Sequence, residues 1–288
     1  MNVTAIIDPL NPPQREAVTN TDSHLLVLAG AGSGKTRVLV HRIAWLVQVE
    51  GVSPHEILAV TFTNKASREM RERIYALLGS APRSMWVGTF HGLAHRLLKM
   101  HWQEAGLSET FQVLDAEDQL RLIKRVYNNL GVDGDRWPPR QAQWFINGQK
   151  DEGLRARHLQ QTGDPFATVM LQVYRGYEEA CDRAGAVDFG ELLLRAHELW
   201  LNKPDLLKHY QQRFRHILVD EFQDTNAIQY AWLRMLAGDS GWVTAVGDDD
   251  QSIYGWRGAR IENIQHFTRD FPGVQTIKLE QNYRSTGV

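Results

Sequence analysis

The sequence predicts an α/β fold, a parallel sheet covered by helices on both faces, with an all-helical domain inserted into it. Three stretches of the 288 residues carry that prediction. Short apolar strands alternate with helical patterns up to about Gly92, helical periodicity then runs almost unbroken to about Arg213, and strands return from Arg215.

In chain order, His24–Ala29 reads as an apolar strand, followed by a helix over Thr36–Val49 with Val38, Leu39, Ile43, Leu46 and Val47 at helical spacing. Ile57–Phe62 is a second strand, Asn64–Leu78 a second helix and Met85–Gly88 a third strand. In the helical stretch, one apolar stripe comprises Leu120, Ile123, Val126 and Tyr127, and another Leu192, Leu193, Ala196 and Leu199. Breaks at Gly131–Gly134, Pro138–Pro139, Gly163–Pro165 and Pro204 separate its helices. The strands that return are Arg215–Val219, Val243–Val246 and Val274–Leu279, with helices at Ala227–Leu236 and Asn263–Phe271.

Composition bounds the function. With 43% hydrophobic and 23% charged residues, the chain can bury a sizeable core and bulk disorder is excluded. A formal net charge of −2 provides no global basic field, so any contact with nucleic acid must come from a local patch. The single cysteine, Cys181, cannot form an internal disulfide, and its helical neighbourhood makes it a small packing residue. No apolar run approaches the ~20 residues that span a bilayer, and there is no basic, apolar leader, so a cytoplasmic protein with no membrane partner is expected.

Between the first strand and the first helix lies Ala29-Gly30-Ala31-Gly32-Ser33-Gly34-Lys35-Thr36. This is a phosphate-binding loop, with Ala29 standing where the strict pattern has glycine. Glycines let backbone N–H groups close around phosphate oxygens, and the helix that follows aims its positive end at them. Lys35 is placed to reach the β- and γ-phosphates of ATP, and Thr36 to give a hydroxyl to Mg²⁺. Far along the chain, His216-Ile217-Leu218-Val219-Asp220-Glu221 is an apolar strand ending in two acids. Alone, such acids are usually solvated. Coupled to the loop, Asp220 becomes the carboxylate that holds the metal and Glu221 the group that orients or deprotonates attacking water.

Six further segments occur in a characteristic order and spacing: Leu10-Asn11-Pro12-Pro13-Gln14, Thr61-Phe62-Thr63-Asn64-Lys65-Ala66, Gly88-Thr89-Phe90-His91-Gly92, Asp220-Glu221-Phe222-Gln223-Asp224, the run from Gly247 to Gly258 containing Gln251-Ser252-Ile253-Tyr254-Gly255-Trp256-Arg257, and Glu280-Gln281-Asn282-Tyr283-Arg284-Ser285. Together they span nearly the whole chain, which resembles the UvrD/Rep family of superfamily 1 DNA helicases. The resemblance implies a RecA-like motor domain over residues 1–92 and 214–280, a helical insertion over 93–213, and the start of a second motor domain at 281–288. It implies that Gln14 reads adenine, that Tyr283 stacks on the base, and that Arg37, Arg73 and Arg284 lie near the phosphates. An arginine's planar fork suits charge growing on a transferring phosphoryl group. Gln251 resembles the glutamine that senses the γ-phosphate. Arg73 sits in a charged helix beside Arg68, Glu69, Arg71 and Glu72, where a solvated face is the competing assignment.

The resemblance also implies single-stranded DNA and single/double-strand junctions as partners, movement 3′ to 5′, a role in DNA repair with repair-protein partners, and self-association of the full-length protein. Phe62, Thr63, Asn64, His91, Tyr254, Trp256 and Arg257 are the expected DNA-contacting residues, on loops where strands end. An aromatic there stacks on any base. Phe90 reads instead as core, while His91 is open to capping a helix as well as to meeting a phosphate. Two basic clusters in the insertion, Arg121-Lys124-Arg125 and Lys150 with Arg155-Arg157-His158, fit solvated faces as well as a duplex-contacting surface. Two other classes were weighed. A small-substrate kinase fits poorly with the Asp-Glu-Phe-Gln-Asp segment, and a non-catalytic scaffold has little reason to keep Lys35, Thr36, Asp220 and Glu221 together. The family's second motor domain is not contained in these residues, so the sequence is expected to be a fragment that does not unwind DNA alone.

Overall fold

This computed structural model describes residues 3–30, 32–80, 84–248 and 262–279, apart from the side chains of residues 262 and 263. In chain order its helices are α1 (Val3–Ile7), α2 (Pro12–Thr19), α3 (Lys35–Gln48), α4 (Asn64–Leu78), α5 (Phe90–Met100), α6 (Ala116–Leu130), α7 (Pro139–Asp151), α8 (Pro165–Ala184), α9 (Phe189–Asn202), α10 (Pro204–Arg213), α11 (Ala227–Ala237) and α12 (Glu262–Asp270). The strands are β1 (Leu25–Ala29), β2 (Ile57–Thr61), β3 (Trp86–Thr89), β4 (Gln112–Val113), β5 (Ala186–Val187), β6 (His216–Val219), β7 (Trp242–Gly247) and β8 (Gln275–Leu279). The described residues fall into two compact units, one within 1–93, 204–226 and 233–288, the other within 94–203 and 227–232.

The first unit is built on a six-stranded sheet in the order β3-β2-β6-β7-β1-β8, every pair parallel. Its inner strands are largely apolar and all five residues of β2 are buried, while the edge strand β8 leaves Gln275, Thr276 and Lys278 exposed. Val38, Leu39 and Ile43 of α3 and Met70 and Ile74 of α4 pack with Leu25, Val27 and Ala59 in one core. Thr63 caps α4 by accepting the Ala66 N–H at 3.0 Å, and Gly79 closes it in the left-handed conformation. Arg42, buried on α3, donates to the carbonyls of Ala17 (2.8 Å) and Asn20 at the end of α2. It thereby satisfies groups that a helix terminus leaves unpaired. Register staggers the central strands: Leu25 and Leu218 both align with Thr244, so β1 begins level with the end of β6, and all three parallel strands β1, β6 and β7 point their carboxyl ends to one edge of the sheet. No helix among the described residues is long and apolar enough to cross a membrane.

The second unit has its own core, from Ile123, Val126, Tyr127, Ile146, Met170, Tyr174 and Tyr177, with Cys181 buried against it. Burial pushes the Cys181 thiol up to about 12, which suits a packing residue. A two-stranded parallel pair, β4 with β5, interrupts the helices.

In the cluster of Lys150 with Arg155-Arg157-His158, Arg157 and His158 are exposed, but Lys150 and Arg155 turn inward and belong to no solvated or duplex-contacting face. Lys150 Nζ lies 2.8 Å from Asp188 and 3.1 Å from Glu191. Arg155 reaches Glu191 at 2.6 Å, Glu198 at 2.5 Å and Glu178 at 3.2 Å. Tyr177 donates to the same Asp188 oxygen at 2.6 Å, and Gln119 donates to it at 3.1 Å. Burial opposes the Lys150 charge, but Asp188 and Glu191 outweigh it and hold the ammonium above its ordinary value. Removing one member strands the others. Lys150→Met is expected to destabilise the protein to urea by about 3–5 kcal/mol. Arg121→Ala, which breaks an exposed pair with Asp118 at 2.9 Å, should cost under about 1 kcal/mol. Equal small losses in both would contradict the buried network.

Candidate functional site

After β1 the chain enters α3 at Lys35, with Gly32, Ser33 and Gly34 just before it. Gly34 caps that helix at φ +89°, a conformation that suits glycine. A Cβ there would also lie 2.7 Å from Gln14 Nε2. The Ser33 hydroxyl donates to the Gly30 carbonyl at 2.7 Å, tightening the loop. The positive end of a 14-residue helix thus faces a concave, glycine-built turn, an arrangement that attracts phosphate.

Side chains from three strand ends meet at this turn. The Thr36 hydroxyl donates to Asp220 Oδ2 at 3.0 Å. Lys35 Nζ lies 3.1 Å from Glu221 Oε2 and 3.5 Å from Asp248 Oδ2. Asp220 is only 3% exposed; burial, and then the neighbouring charge of Glu221, push its carboxyl up to about 6 despite the Thr36 and Lys35 contacts. A buried carboxylate disfavoured in its charged form gains from a cation. Glu221 has φ +49°, unusual for a residue with a Cβ, and its side chain is 39% exposed, so it is the more solvent-facing acid of the pair. Among the described residues no cluster of three or more His, Cys, Asp or Glu could hold a metal. One carboxylate and one hydroxyl fit Mg²⁺, which usually takes few protein ligands and completes its shell with water and substrate phosphates.

Gln14 is buried at the loop's edge. Its Nε2 donates to the Ser33 carbonyl at 2.9 Å and its Oε1 accepts the Asn11 N–H at 3.1 Å, so the amide holds the loop and caps α2 together. Arg37 and Arg73 line one shallow groove of about 300 Å³ with Val40, His41, Ala76 and Leu77. The exposed Arg73 lies 3.9 Å from Glu69 on its own helix. The sequence reading gave no role to Gln223 or Asp248, although both lie in quoted segments; Gln223 donates to Glu221 at 2.9 Å and accepts the Asp248 N–H at 3.0 Å.

The carboxyl ends of β2 and β3 lie on the same sheet edge, since Thr61 aligns with Thr89; α5 follows β3 directly, so His91 stands in the first turn of a helix and not on the expected loop. Thr63 and Asn64 are exposed there. Phe62 is half-buried, its ring edge-on to the buried Phe90 at 5.3 Å between centroids. His91 is partly buried, and burial holds its imidazole below the ordinary value. Ala31, Gln251, Tyr254, Trp256, Arg257, Tyr283 and Arg284 lie outside the described residues.

Residues 10–272 match the family described as UvrD/REP helicase N-terminal domain. The chain is 66% identical over 286 residues to DNA helicase II of Escherichia coli (strain K12), covering 99% of this chain and 40% of that protein. It is 57% identical to DNA helicase II of Haemophilus influenzae, again over 99% of this chain and 40% of the relative. To the ATP-dependent DNA helicase PcrA of Leuconostoc citreum it is 46% identical, over 99% of this chain and 38% of the relative. It thus spans about 40% of the length of the first two of these relatives. With a family match across most of its length and a phosphate loop facing paired strand-end acids, the chain belongs to the UvrD/REP helicase family and lies in its N-terminal portion.

Proposed function

We propose that this chain is the ATP-hydrolysing portion of a DNA helicase that moves 3′ to 5′ on single-stranded DNA and opens duplexes at single/double-strand junctions. The observation that carries this is the meeting of Lys35, Thr36, Asp220 and Glu221 at one edge of the sheet. Lys35 would exchange its contact with Glu221 for the β- and γ-phosphates. Thr36 and Asp220 would hold Mg²⁺, which when bound neutralises charge on those phosphates. The attacking water would form its bond to the γ-phosphorus as the bond to ADP breaks, while Glu221 accepts the water's proton. Gln14 and Tyr283 would hold the adenine, with Gln14 carrying any signal from the base straight to Ser33. Arg37, Arg73 and Arg284 would offset charge around the phosphates, and Gln251 would sense the γ-phosphate.

DNA would cross the edge at the carboxyl ends of β2, β3 and β7, touching Phe62, Thr63, Asn64, His91, Tyr254, Trp256 and Arg257. The phosphate loop opens on that same edge, which gives hydrolysis a direct route to the track. On this reading residues 1–92 and 214–280 form the motor domain and 93–213 the insertion. A second motor domain in the full-length protein closes on ATP. A cytoplasmic role in DNA repair, with repair-protein partners and self-association of the full-length protein, belongs to the same proposal.

The direction of travel is tested by strand displacement with the full-length protein. A duplex with a 3′ single-stranded tail is expected to open in the presence of ATP and Mg²⁺, and one with only a 5′ tail to stay closed. Opening of the 5′-tailed duplex alone would contradict the proposal.

A further inference from the structure

We propose that Gln223 is a positioning residue for hydrolysis: its amide clamps Glu221 to the backbone at the end of β7 and so selects the carboxylate oxygen that takes the proton. This rests on Glu221 being the group that accepts the proton of the attacking water. Gln223 is 2% exposed and sits in a single turn over Phe222–Asp224, immediately after Glu221. Its Nε2 donates to Glu221 Oε2 at 2.9 Å while its Oε1 accepts the Asp248 N–H at 3.0 Å. Lys35 Nζ lies 3.1 Å from that same Oε2. Once Lys35 turns to the phosphates, the Gln223 amide is the donor that stays on Oε2, which leaves Oε1 as the proton-accepting atom.

The surroundings are built for the clamp. Glu221 holds φ +49°, a conformation that persists only where neighbours enforce it. Gly247 lets the amide approach: a Cβ there would lie 2.9 Å from Gln223 Oε1 and 3.4 Å from its backbone nitrogen. The residue type follows from the task. A side chain of this length must donate at one end and accept at the other, which an amide does and a carboxylate, thioether or ammonium does not. Because Lys35 also lies 3.5 Å from Asp248, the clamp ties the phosphate loop, the β6 end and the β7 end into one unit.

The test is steady-state ATP hydrolysis by the full-length protein with saturating single-stranded DNA, comparing Gln223→Leu, Gln223→Glu, Glu221→Gln and the double variant Glu221→Gln/Gln223→Leu. Gln223→Glu keeps the shape and the acceptor facing Asp248 but turns the donor into a carboxylate beside Glu221, and the thermal midpoint of every variant is measured alongside so that a folding defect is recognised as such. Each Gln223 variant is expected to lose about 100-fold in kcat, the scale of a displaced reacting group, with KM for ATP within about twofold. A residue acting through Glu221 adds nothing once Glu221 is disabled, so the double variant should be no slower than Glu221→Gln. Wild-type kcat in both Gln223 variants, or losses that multiply in the double variant, would overturn the clamp. If Glu221→Gln is inactive while both Gln223 variants keep the wild-type kcat, the clamp alone fails. If Glu221→Gln turns over normally, the assignment of Glu221 fails and the clamp with it.

Discussion

Glu221→Gln in the full-length protein is expected to bind ATP as the parent does and to turn it over about 10²–10⁴-fold more slowly. The substitution keeps the side chain's shape and leaves an oxygen facing Lys35 Nζ, now 3.1 Å from the carboxylate, so the phosphate loop has no reason to move. What is lost is the capacity to take a proton. Lys35→Ala acts differently. It removes the ammonium that lies between Glu221 and Asp248 at the mouth of α3, and its main effect is expected on nucleotide affinity. Measuring nucleotide binding and turnover for both variants separates the two roles. Normal turnover in Glu221→Gln would remove it as the water-activating residue.

The 288 residues by themselves are expected to hydrolyse ATP about 10³–10⁵-fold more slowly than the full-length protein and to separate no strands. Phosphoryl transfer needs charge stabilisation from every side of the γ-phosphate, and a missing arginine finger alone has an effect of that size. The β1 and β6 ends contribute Lys35, Thr36, Asp220 and Glu221 from one side. The opposite side, with its own arginine, belongs on this proposal to a second motor domain, and the relatives are long enough to hold one, since this chain spans 40% of the Escherichia coli protein. Half of the DNA track would be missing too, leaving weak and steeply salt-dependent binding. The check is an ATPase and strand-separation assay of the 288 residues beside the full-length protein. Unwinding near the full-length rate would show that no second motor domain is required.

Much of the sheet was legible because its signals are local. Apolar runs such as Ile57–Val60 have nothing polar to place, and the helix Asn64–Leu78 is bracketed by a threonine cap and a glycine stop. The phosphate loop and the strand-end acids were legible for a chemical reason, since few residue types can cradle a phosphate or hold a metal. What escaped was non-local. Arg155 reads as basic surface in sequence, yet its partners Glu191 and Glu198 lie 36 and 43 residues further on. The β4–β5 pair has two residues in each strand, too few to produce a period. Gln14 reads as a base-reading amide, but its bond to Ser33 spans 19 residues and appears only once α2 has docked beside the loop. Gln223 lay in plain view within an acidic motif, and nothing local says which of its neighbours an amide will bridge.

The central claim, that the Lys35–Glu221 site is an ATP-hydrolysing engine governed by single-stranded DNA, is tested most directly by one titration. Steady-state ATP turnover of the full-length protein is measured against increasing single-stranded DNA at fixed ATP and Mg²⁺. The rate should rise from a low basal value and saturate, and Glu221→Gln should abolish the rise while DNA still binds. A rate indifferent to DNA, or a DNA-stimulated rate that survives Glu221→Gln, would contradict it.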